Sequence, residues 1–298
     1  SDGTVKAWGE SSYGGTISSS VQSQLTNVNA IYSTESAFAA LKADGSVIAW
    51  GNSANGGDNI PATATDIVNI YSTRRAFAAL KIDGTVVSWG DANYGGTGAN
   101  GASVNQVKTI SCSERAFAAL KTDGTVAVWG HPNYGASFGG GTVNNVKTIY
   151  SNYFAFAALK NDGSVVTWGG TTAGGDSSSV SSNLSSGVKA IYSNAAAFVA
   201  LKTDNSLVAW GSADYGGTLP SGGVSNVYAL YSNYNAFGAL KTDGNLVAWG
   251  NGASGTTPSP NLGHPTSSLF MVRFAHGAIN SIQINSTEGH GRYLSGAI

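Results

Sequence analysis

The side chains that most often perform enzyme chemistry are few in this chain and far apart. There are four histidines and one cysteine among 298 residues. No His-Glu-X-X-His or paired-cysteine spacing occurs, so the sequence predicts no zinc site, and Cys112 has no partner for an internal disulfide. Cys112 also takes the place of a serine found in other repeats, which favours a small buried residue over a reactive thiol. The histidines are His131, His264, His276 and His290.

The acidic residues indicate no metal site either. Asp58 and Asp176 each follow a Gly-Gly pair, but each stands alone, whereas a Ca²⁺ ion needs several oxygen ligands. The sequence therefore predicts a protein that is not an enzyme, with no catalytic residues, no metal and no cofactor.

Charge and composition argue against several classes of partner. The formal net charge is −1, and only 10% of the residues are charged. This balance gives no general attraction for nucleic acid. No apolar run reaches the length of a membrane span, so we expect no membrane insertion. The composition, rich in Gly, Ser, Thr and Asn, favours an extracellular or cell-surface location.

A repeat of about forty residues organises the chain. Each of the seven tryptophans precedes a glycine, and a phrase Ala-Phe-X-Ala-Leu-Lys comes before the last six of them. An Asp-Gly or Asp-Asn pair lies between the phrase and the tryptophan, where it predicts a tight two-residue hairpin turn. A third short apolar run lies upstream of the phrase. The tryptophans are Trp8, Trp50, Trp89, Trp129, Trp168, Trp210 and Trp249.

Three short strands per repeat with no helical pattern predict an all-β, seven-bladed β-propeller. The first repeat begins at its hairpin, so its earlier strands must come from elsewhere. Residues 267–286 align without gaps on residues 225–244. We therefore expect the N-terminal strand, residues 4–9, to pair with C-terminal strands at about 269–284. Residues 1–286 would then form one domain, with 287–298 as a tail or a connection onward.

The positions that change between repeats are the candidate binding residues. A non-repeating pair precedes each Ala-Phe, and a tyrosine often lies five residues after the tryptophan. Strand direction places both on one face of the propeller. Exposed Tyr and Arg dominate many protein interfaces, so we expect a protein partner there. The predicted contacts are Glu35, Arg74, Arg75, Glu114, Arg115, Tyr153, Phe154 and Tyr234 from the pairs, with Tyr13, Tyr94, Tyr134 and Tyr215.

Two local alternatives remain open at this stage. The tyrosines could instead pack over the Gly-Gly that follows them, since the Tyr-Gly-Gly motif itself recurs. On the opposite face, a ring of lysines could attract an anion, or each lysine could be neutralised by the aspartate two residues later. These lysines are Lys42, Lys81, Lys121, Lys160, Lys202 and Lys241.

The motif Ala-Leu-X-X-Asp-Gly-X-Val-X-X-Trp-Gly resembles the regulator of chromosome condensation repeat family, which forms seven-bladed propellers. The resemblance covers about residues 1–286. Among family members, the short units look most like the secreted streptomycete β-lactamase inhibitory protein, whose pair positions carry aromatic residues on a binding face. The exchange factor has Gly-Gln-Leu-Gly after its tryptophan turn, where this chain has Tyr94-Gly95-Gly96. The resemblance thus implies protein binding rather than guanine nucleotide exchange.

Three functional hypotheses follow. The first is a non-catalytic propeller that docks a protein through the variable face, for example as an inhibitor of a secreted enzyme. The second is a structural or adhesive repeat domain of a larger surface protein or assembly, which would bind glycan or self-assemble. The third is guanine nucleotide exchange or chromatin binding, which the near-neutral charge and the missing exchange-factor motif disfavour.

Overall fold

The structure is a computed structural model that describes residues 3–99, 104–139 and 141–251. This part of the chain forms six three-stranded antiparallel sheets. The strands are β1 (Val28–Ser33), β2 (Ala37–Lys42) and β3 (Val47–Gly51); β4 (Ile67–Ser72), β5 (Ala76–Lys81) and β6 (Val86–Gly90); β7 (Val107–Cys112), β8 (Ala116–Lys121) and β9 (Val126–Gly130); β10 (Val146–Ser151), β11 (Ala155–Lys160) and β12 (Val165–Gly169); β13 (Val188–Ser193), β14 (Ala197–Lys202) and β15 (Leu207–Gly211); and β16 (Val227–Ser232), β17 (Ala236–Lys241) and β18 (Leu246–Gly250).

Helical segments are short and lie between the sheets. One α-helical turn, α1 (Ser19–Gln22), precedes β1, and no helix in the described ranges is long enough to cross a membrane. A 3-10 turn follows the third strand in each of the first five sheets, and another follows the N-terminal residues 4–9. The 3-10 turns are Ser11–Tyr13, Ser53–Asn55, Ala92–Tyr94, Pro132–Tyr134, Thr171–Ala173, Ser178–Val180 and Ala213–Tyr215.

Each sheet has the same core because the repeat places the same residues opposite one another. The phenylalanine of the second strand pairs across the ladder with the tryptophan of the third, as Phe77 does with Trp89. The two rings stack in all six sheets, with centroids 5.1 to 5.7 Å apart. Such aromatic pairs add stability beyond the area that they bury. The alanines of the second strand are buried, and their small size lets neighbouring sheets approach.

In five of the six described sheets the tryptophan also ties the sheet to the preceding repeat. The indole N–H of Trp89 donates to the carbonyl of Gly56, at 3.0 Å, and four other tryptophans make the equivalent bond. Gly56 has a φ of +97°, and a Cβ there would lie 2.7 Å from the Phe77 ring. Only glycine fits this position, which explains the first glycine of Tyr-Gly-Gly. Among the described residues, Trp129 lacks an acceptor for its indole N–H.

Successive sheets are blades arranged around a common axis, with the first strand of each innermost. The first strands of neighbouring blades contact each other, and Tyr32 Oη donates to Asn69 Oδ1 across the β1–β4 boundary at 2.8 Å. On the same boundary Ser72 Oγ donates to the Ser33 carbonyl at 2.8 Å. The chain is thus an all-β propeller, and the prediction of one blade per repeat is confirmed for the six described sheets.

The N-terminal residues occupy the place of a further blade. The Gly3 carbonyl accepts from Val28 N–H at 3.1 Å, just as the Gly45 carbonyl accepts from Ile67 N–H in the next repeat. Trp8 is 85% exposed, whereas the other six tryptophans are at most 6% exposed. The predicted pairing of residues 4–9 with about 269–284 lies outside the described residues, as does the tail at 287–298.

The hairpin turns differ from the expected two-residue type. Lys42 N–H donates to the Ser46 carbonyl, and Gly45 N–H donates to the Lys42 carbonyl, so the loop contains three residues. Only Gly45 has a left-handed φ, at +79°, and Asp44 keeps an ordinary backbone. The Asp44 carboxylate accepts from both the N–H and the hydroxyl of Ser46, which lowers the pKa of Asp44. The aspartate is therefore a side-chain cap of the turn.

Candidate functional site

The variable pairs and the 3-10 turns lie together at one end of the blades, which we call the loop face. Each pair forms the turn between the first and second strands. The residue just before the pair reaches across to the 3-10 turn of the same blade: Thr73 Oγ1 donates to the Tyr94 carbonyl, and Ser113 Oγ donates to the Tyr134 carbonyl, both at 2.8 Å. The predicted contact residues are therefore held next to one another.

A chain of backbone hydrogen bonds links the pairs from blade to blade, and we call it the hub. In the first five pairs, the first residue donates its N–H to the carbonyl of the first residue in the next pair. The amino-acid sequence did not predict these bonds, because they involve only main-chain atoms. The five links are Glu35 to Arg74 (2.8 Å), Arg74 to Glu114 (3.0 Å), Glu114 to Tyr153 (2.9 Å), Tyr153 to Ala195 (3.2 Å) and Ala195 to Tyr234 (3.2 Å).

The charged residues of the first three blades form one ion-pair network, the charged arc (Glu35, Arg74, Arg75, Glu114 and Arg115). Arg74 bridges two blades: Nη2 lies 2.9 Å from Glu35 Oε1, and Nη1 lies 3.1 Å from Glu114 Oε1. Arg75 adds a second contact to Glu35 at 3.2 Å. Hydrogen bonding to Arg74 lowers the pKa of Glu35, and the same pairing raises the pKa of Arg74. The side chains of the network are 18 to 45% exposed and are therefore screened by solvent, so the network orients them more than it stabilises the fold.

Cation–π contacts hold the inner arginines. The Arg115 guanidinium lies between two rings, 4.7 Å from the centroid of Tyr94 and 4.8 Å from that of Tyr134. The guanidinium of Arg75 lies 5.2 Å from the Tyr94 ring. Such contacts are worth about 0.5 to 1 kcal/mol each at exposed sites. The rings of Tyr94 and Tyr134 thus hold the arginines of the charged arc in place.

The four predicted tyrosines do not form one exposed ring. Tyr94 is only 5% exposed because two arginines cover it, whereas Tyr13 is 56% exposed. Tyr134 and Tyr215 are partly buried. The expectation that all four tyrosines are exposed on the binding face is therefore wrong at Tyr94. That side chain is buried by packing against Arg75 and Arg115.

Aromatic rings cover the remaining blades, and we call Tyr134, Phe154, Tyr153, Tyr234 and Tyr215 the aromatic arc. Consecutive members touch in that order, with centroid separations of 5.5, 6.3, 5.7 and 6.3 Å. Tyr153 and Tyr234 meet across the blade between them because its pair is Ala195-Ala196. Burial raises the pKa of Tyr153. Tyr153 and Tyr234 remain 39% and 58% exposed.

The residues considered for chemistry are placed apart. Cys112 is buried, and burial raises the pKa of its thiol, so the thiolate is disfavoured. Asp176 caps a turn by accepting from Ser178 N–H at 2.9 Å. Residues 135–139 match the Gly-X-Ser-X-Gly pattern, but Ser137 Oγ accepts from Gly139 N–H in a loop rather than on a strand-to-helix elbow. Within 3–99, 104–139 and 141–251, no three His, Cys, Asp or Glu side chains cluster.

The opposite end of the blades carries the aspartate-capped turns, and we call it the turn face. The expected neutralisation of each lysine by its aspartate occurs as an ion pair only for Lys241 and Asp243, at 3.6 Å, in the described ranges. Elsewhere the aspartate is engaged in its own turn. The sequence analysis also missed a second variable position on the turn face. It is the second residue of the first strand in each blade. Its occupants are Asn29, Val68, Lys108, Lys147, Lys189 and Tyr228.

Comparison with known proteins gives similarity at the level of architecture. No protein-family model matches the chain, and no curated protein matches it. The chain is similar to the ectodomain of the Physcomitrella patens receptor kinase CR4, with 18% identity and a TM-score of 0.48 over 75% of this chain and 64% of that one. It is similar to yeast RCC1 (Prp20) in a complex with Kap60, with 15% identity and a TM-score of 0.47 over 75% and 70% of the two chains.

A third similar structure is the CRINKLY WD40 ectodomain of the Arabidopsis thaliana receptor kinase ACR4, with 16% identity and a TM-score of 0.45 over 75% of this chain and 81% of that one. The chain spans about two thirds of the length of the CR4 ectodomain. The propeller architecture is therefore established by the sheets of this chain and by the bonds that link one blade to the next.

Proposed function

We propose that this protein is a non-catalytic β-propeller that binds a protein partner through its loop face, outside the cell or at its surface. The observation that carries the proposal is the hub. It holds the main chain of successive variable pairs in one arrangement, while their side chains differ from blade to blade. A fixed frame with variable side chains suits recognition of one specific surface.

The side chains of the loop face are of the types that bind proteins. Tyr and Arg give large contact areas, and they dominate the affinity of many interfaces. The aromatic arc is already held by ring contacts, and Arg74 is already held by two carboxylates. These side chains are already restricted in the free protein. Fixing them on binding would therefore cost little side-chain entropy. The exposed edges of Tyr153 and Tyr234 are the expected centre of the interface.

An inhibitor of a secreted enzyme is the specific form of this proposal that we favour. It is supported by the resemblance of the short repeats to those of the β-lactamase inhibitory protein and by the aromatic residues at the pair positions. In this form the aromatic arc would cover the rim of the enzyme's active site. Inhibition would need no chemistry from the propeller itself.

Paired variants test the role of the loop face. The protein is immobilised, proteins are captured from the medium of its source, and the affinity of a purified captured protein is measured. Removal of two hot-spot tyrosines costs about 2 kcal/mol or more, so Tyr153→Ala/Tyr234→Ala is expected to weaken binding about thirtyfold or more. Val166→Ala is the control, because Val166 is 36% exposed in β12 and belongs to neither the variable pairs nor the 3-10 turns.

The outcomes separate the hypotheses. A loss confined to the double variant supports the loop face. Equal affinity of all variants for the captured protein contradicts it, and capture of a glycan alone favours the adhesive hypothesis. The inhibitor form is tested separately with a purified class A β-lactamase and a chromogenic β-lactam. Unchanged hydrolysis at a large excess of the propeller would remove this form for that enzyme class.

A further inference from the structure

The second variable position of the turn face is produced by a bulge that recurs in every described blade. The pairing of β7 with β8 shifts register between Val107 and Thr109, so Lys108 has no partner opposite and turns outward. The same shift occurs in the other five pairs. All six bulged residues are exposed. A bulge re-aims one side chain while leaving the strands on either side paired.

Three consecutive blades place a lysine at this bulge, and we call Lys108, Lys147 and Lys189 the lysine arc. Lys108 and Lys147 line one open cleft of about 290 Å³ together with Lys121. The cleft has one acidic lining residue, Asp123, so its three lysines and one aspartate leave a formal charge of +2. The clustering of like charge around a recess favours an anionic ligand.

Internal pairing does not neutralise the lysine arc. The Asp123 carboxylate accepts from the N–H and the hydroxyl of Thr125, at 2.8 and 2.7 Å, and serves its own turn. Lys189 Nζ donates to a neutral group, Asn205 Oδ1, at 2.6 Å. No salt bridge in the described part of the chain includes a member of the lysine arc. This contrasts with the arginines of the loop face, which are all paired.

Exposed apolar groups flank the lysine arc on both sides. In the blade before it, the bulged Val68 is 51% exposed, and the neighbouring turn residue Ile82 is 77% exposed. In the blade after it, the bulged residue is Tyr228, which is 75% exposed. A strip that is apolar, basic and then aromatic matches a ligand with both carboxylates and apolar side chains.

We infer that the turn face binds an acidic polypeptide segment that carries apolar or aromatic side chains beside its carboxylates. The lysine arc would bind the carboxylates, and Val68, Ile82 and Tyr228 would bind the apolar side chains. A polysaccharide sulfate would use only the lysines, so the flanking apolar groups favour a polypeptide. This surface is separate from the loop face and does not depend on the function proposed there.

The test uses the full chain and two synthetic probes. A labelled random copolymer of Glu and Tyr, and poly-L-glutamate, are titrated at about 20 mM salt, where surface charges are weakly screened. Three exposed ion pairs together are worth about tenfold in affinity, so Lys108→Gln/Lys147→Gln/Lys189→Gln is expected to weaken both probes by about that factor. Lys42→Gln/Lys81→Gln/Lys160→Gln, with the same charge change on the same face, is expected to weaken them less than about threefold.

A second pair of variants tests the apolar part. Val68→Ser/Ile82→Ser is expected to weaken the Glu-Tyr copolymer and to leave poly-L-glutamate unchanged. Arg74→Ala/Arg75→Ala on the loop face is expected to leave both probes unchanged. The inference is overturned by equal losses in the two lysine triples, by loss in the loop-face variant alone, or by no binding to the wild-type chain. It is also overturned if dextran sulfate binds more tightly than the copolymer at equal charge.

Discussion

The two faces of the propeller use positive charge in different ways. All three described arginines lie on the loop face, where carboxylates and tyrosine rings engage them. Nine of the ten lysines lie on the turn face, where carboxylates are mostly engaged in capping turns. A guanidinium suits fixed planar contacts, whereas an ammonium is a well-hydrated point charge. The loop face is thus pre-organised for shape, and the turn face is suited to attract by charge.

The comparison extends to the glycines, which give the largest expected effect. Gly95 on the loop face has a φ of +88°, and a Cβ there would lie 2.7 Å from the Phe117 ring. Gly244 on the turn face has a φ of +84°, and no atom of the described residues would lie within 4 Å of a Cβ there. Gly95→Ala is therefore expected to lower the free energy of unfolding by about 3 kcal/mol or more, and Gly244→Ala by about 1 kcal/mol. Urea denaturation measures both, and equal losses would show that only the backbone conformation matters.

Indole hydrogen bonds give the next effect, because they tie blades together near the loop face. Trp89 donates to Gly56, whereas the indole N–H of Trp129 has no acceptor among the described residues. Both rings are buried and stacked on phenylalanine. Trp89→Phe is expected to cost about 1 kcal/mol more unfolding free energy than Trp129→Phe, the value of one hydrogen bond. A larger loss at Trp129 in thermal denaturation would contradict this difference.

Acid should lower the stability of the fold mainly through the aspartates of the turn face. Capping lowers the pKa of Asp83, Asp123 and Asp162. A lowered folded-state pKa adds stability above the unfolded value, near pH 4, and this stability is lost as the pH falls through the folded pKa. Replacing the three aspartates with asparagine keeps an acceptor that does not titrate. The triple variant is expected to show a flatter decline of melting temperature below about pH 4.

Glu35 is the control for the acid prediction. Its pKa is also lowered, but it is a single group on the loop face, and its side chain is 32% exposed to solvent. Glu35→Gln is therefore expected to change the pH dependence of the melting temperature much less than the aspartate triple. An equal or larger change would mean that the charged arc contributes more to stability than its exposure indicates.

Exchanging the two cations should give the smallest effect. Arg74→Lys loses the simultaneous contacts to Glu35 and Glu114, and is expected to cost about 0.5 kcal/mol. Lys147→Arg on the turn face is expected to leave the unfolding free energy unchanged, because Lys147 has no ion pair in the described ranges. Equal changes in the free energy of unfolding for the two exchanges, measured by urea denaturation, would contradict this difference. The two faces would then differ in where their cations lie and not in how the cations are held.

The repeat made much of the fold predictable from the sequence. The phrases ending in Leu-Lys coincide with second strands such as β5, and alternating strand direction correctly placed the variable pairs beside the 3-10 turns. Other features could not be read from residue types. The hub uses only main-chain atoms, and the bulge is a shift of register that leaves no special residue behind. The burial of Tyr94 depends on arginines from two different blades.

The hub also makes the propeller a natural scaffold for combinatorial libraries. Its bonds use the amide and carbonyl of residues such as Glu35, Arg74 and Tyr153, so the frame does not depend on which side chain they carry. Proline is the exception, since it lacks the N–H that each link requires. Randomising the pairs while excluding proline should therefore yield folded variants with new binding specificities.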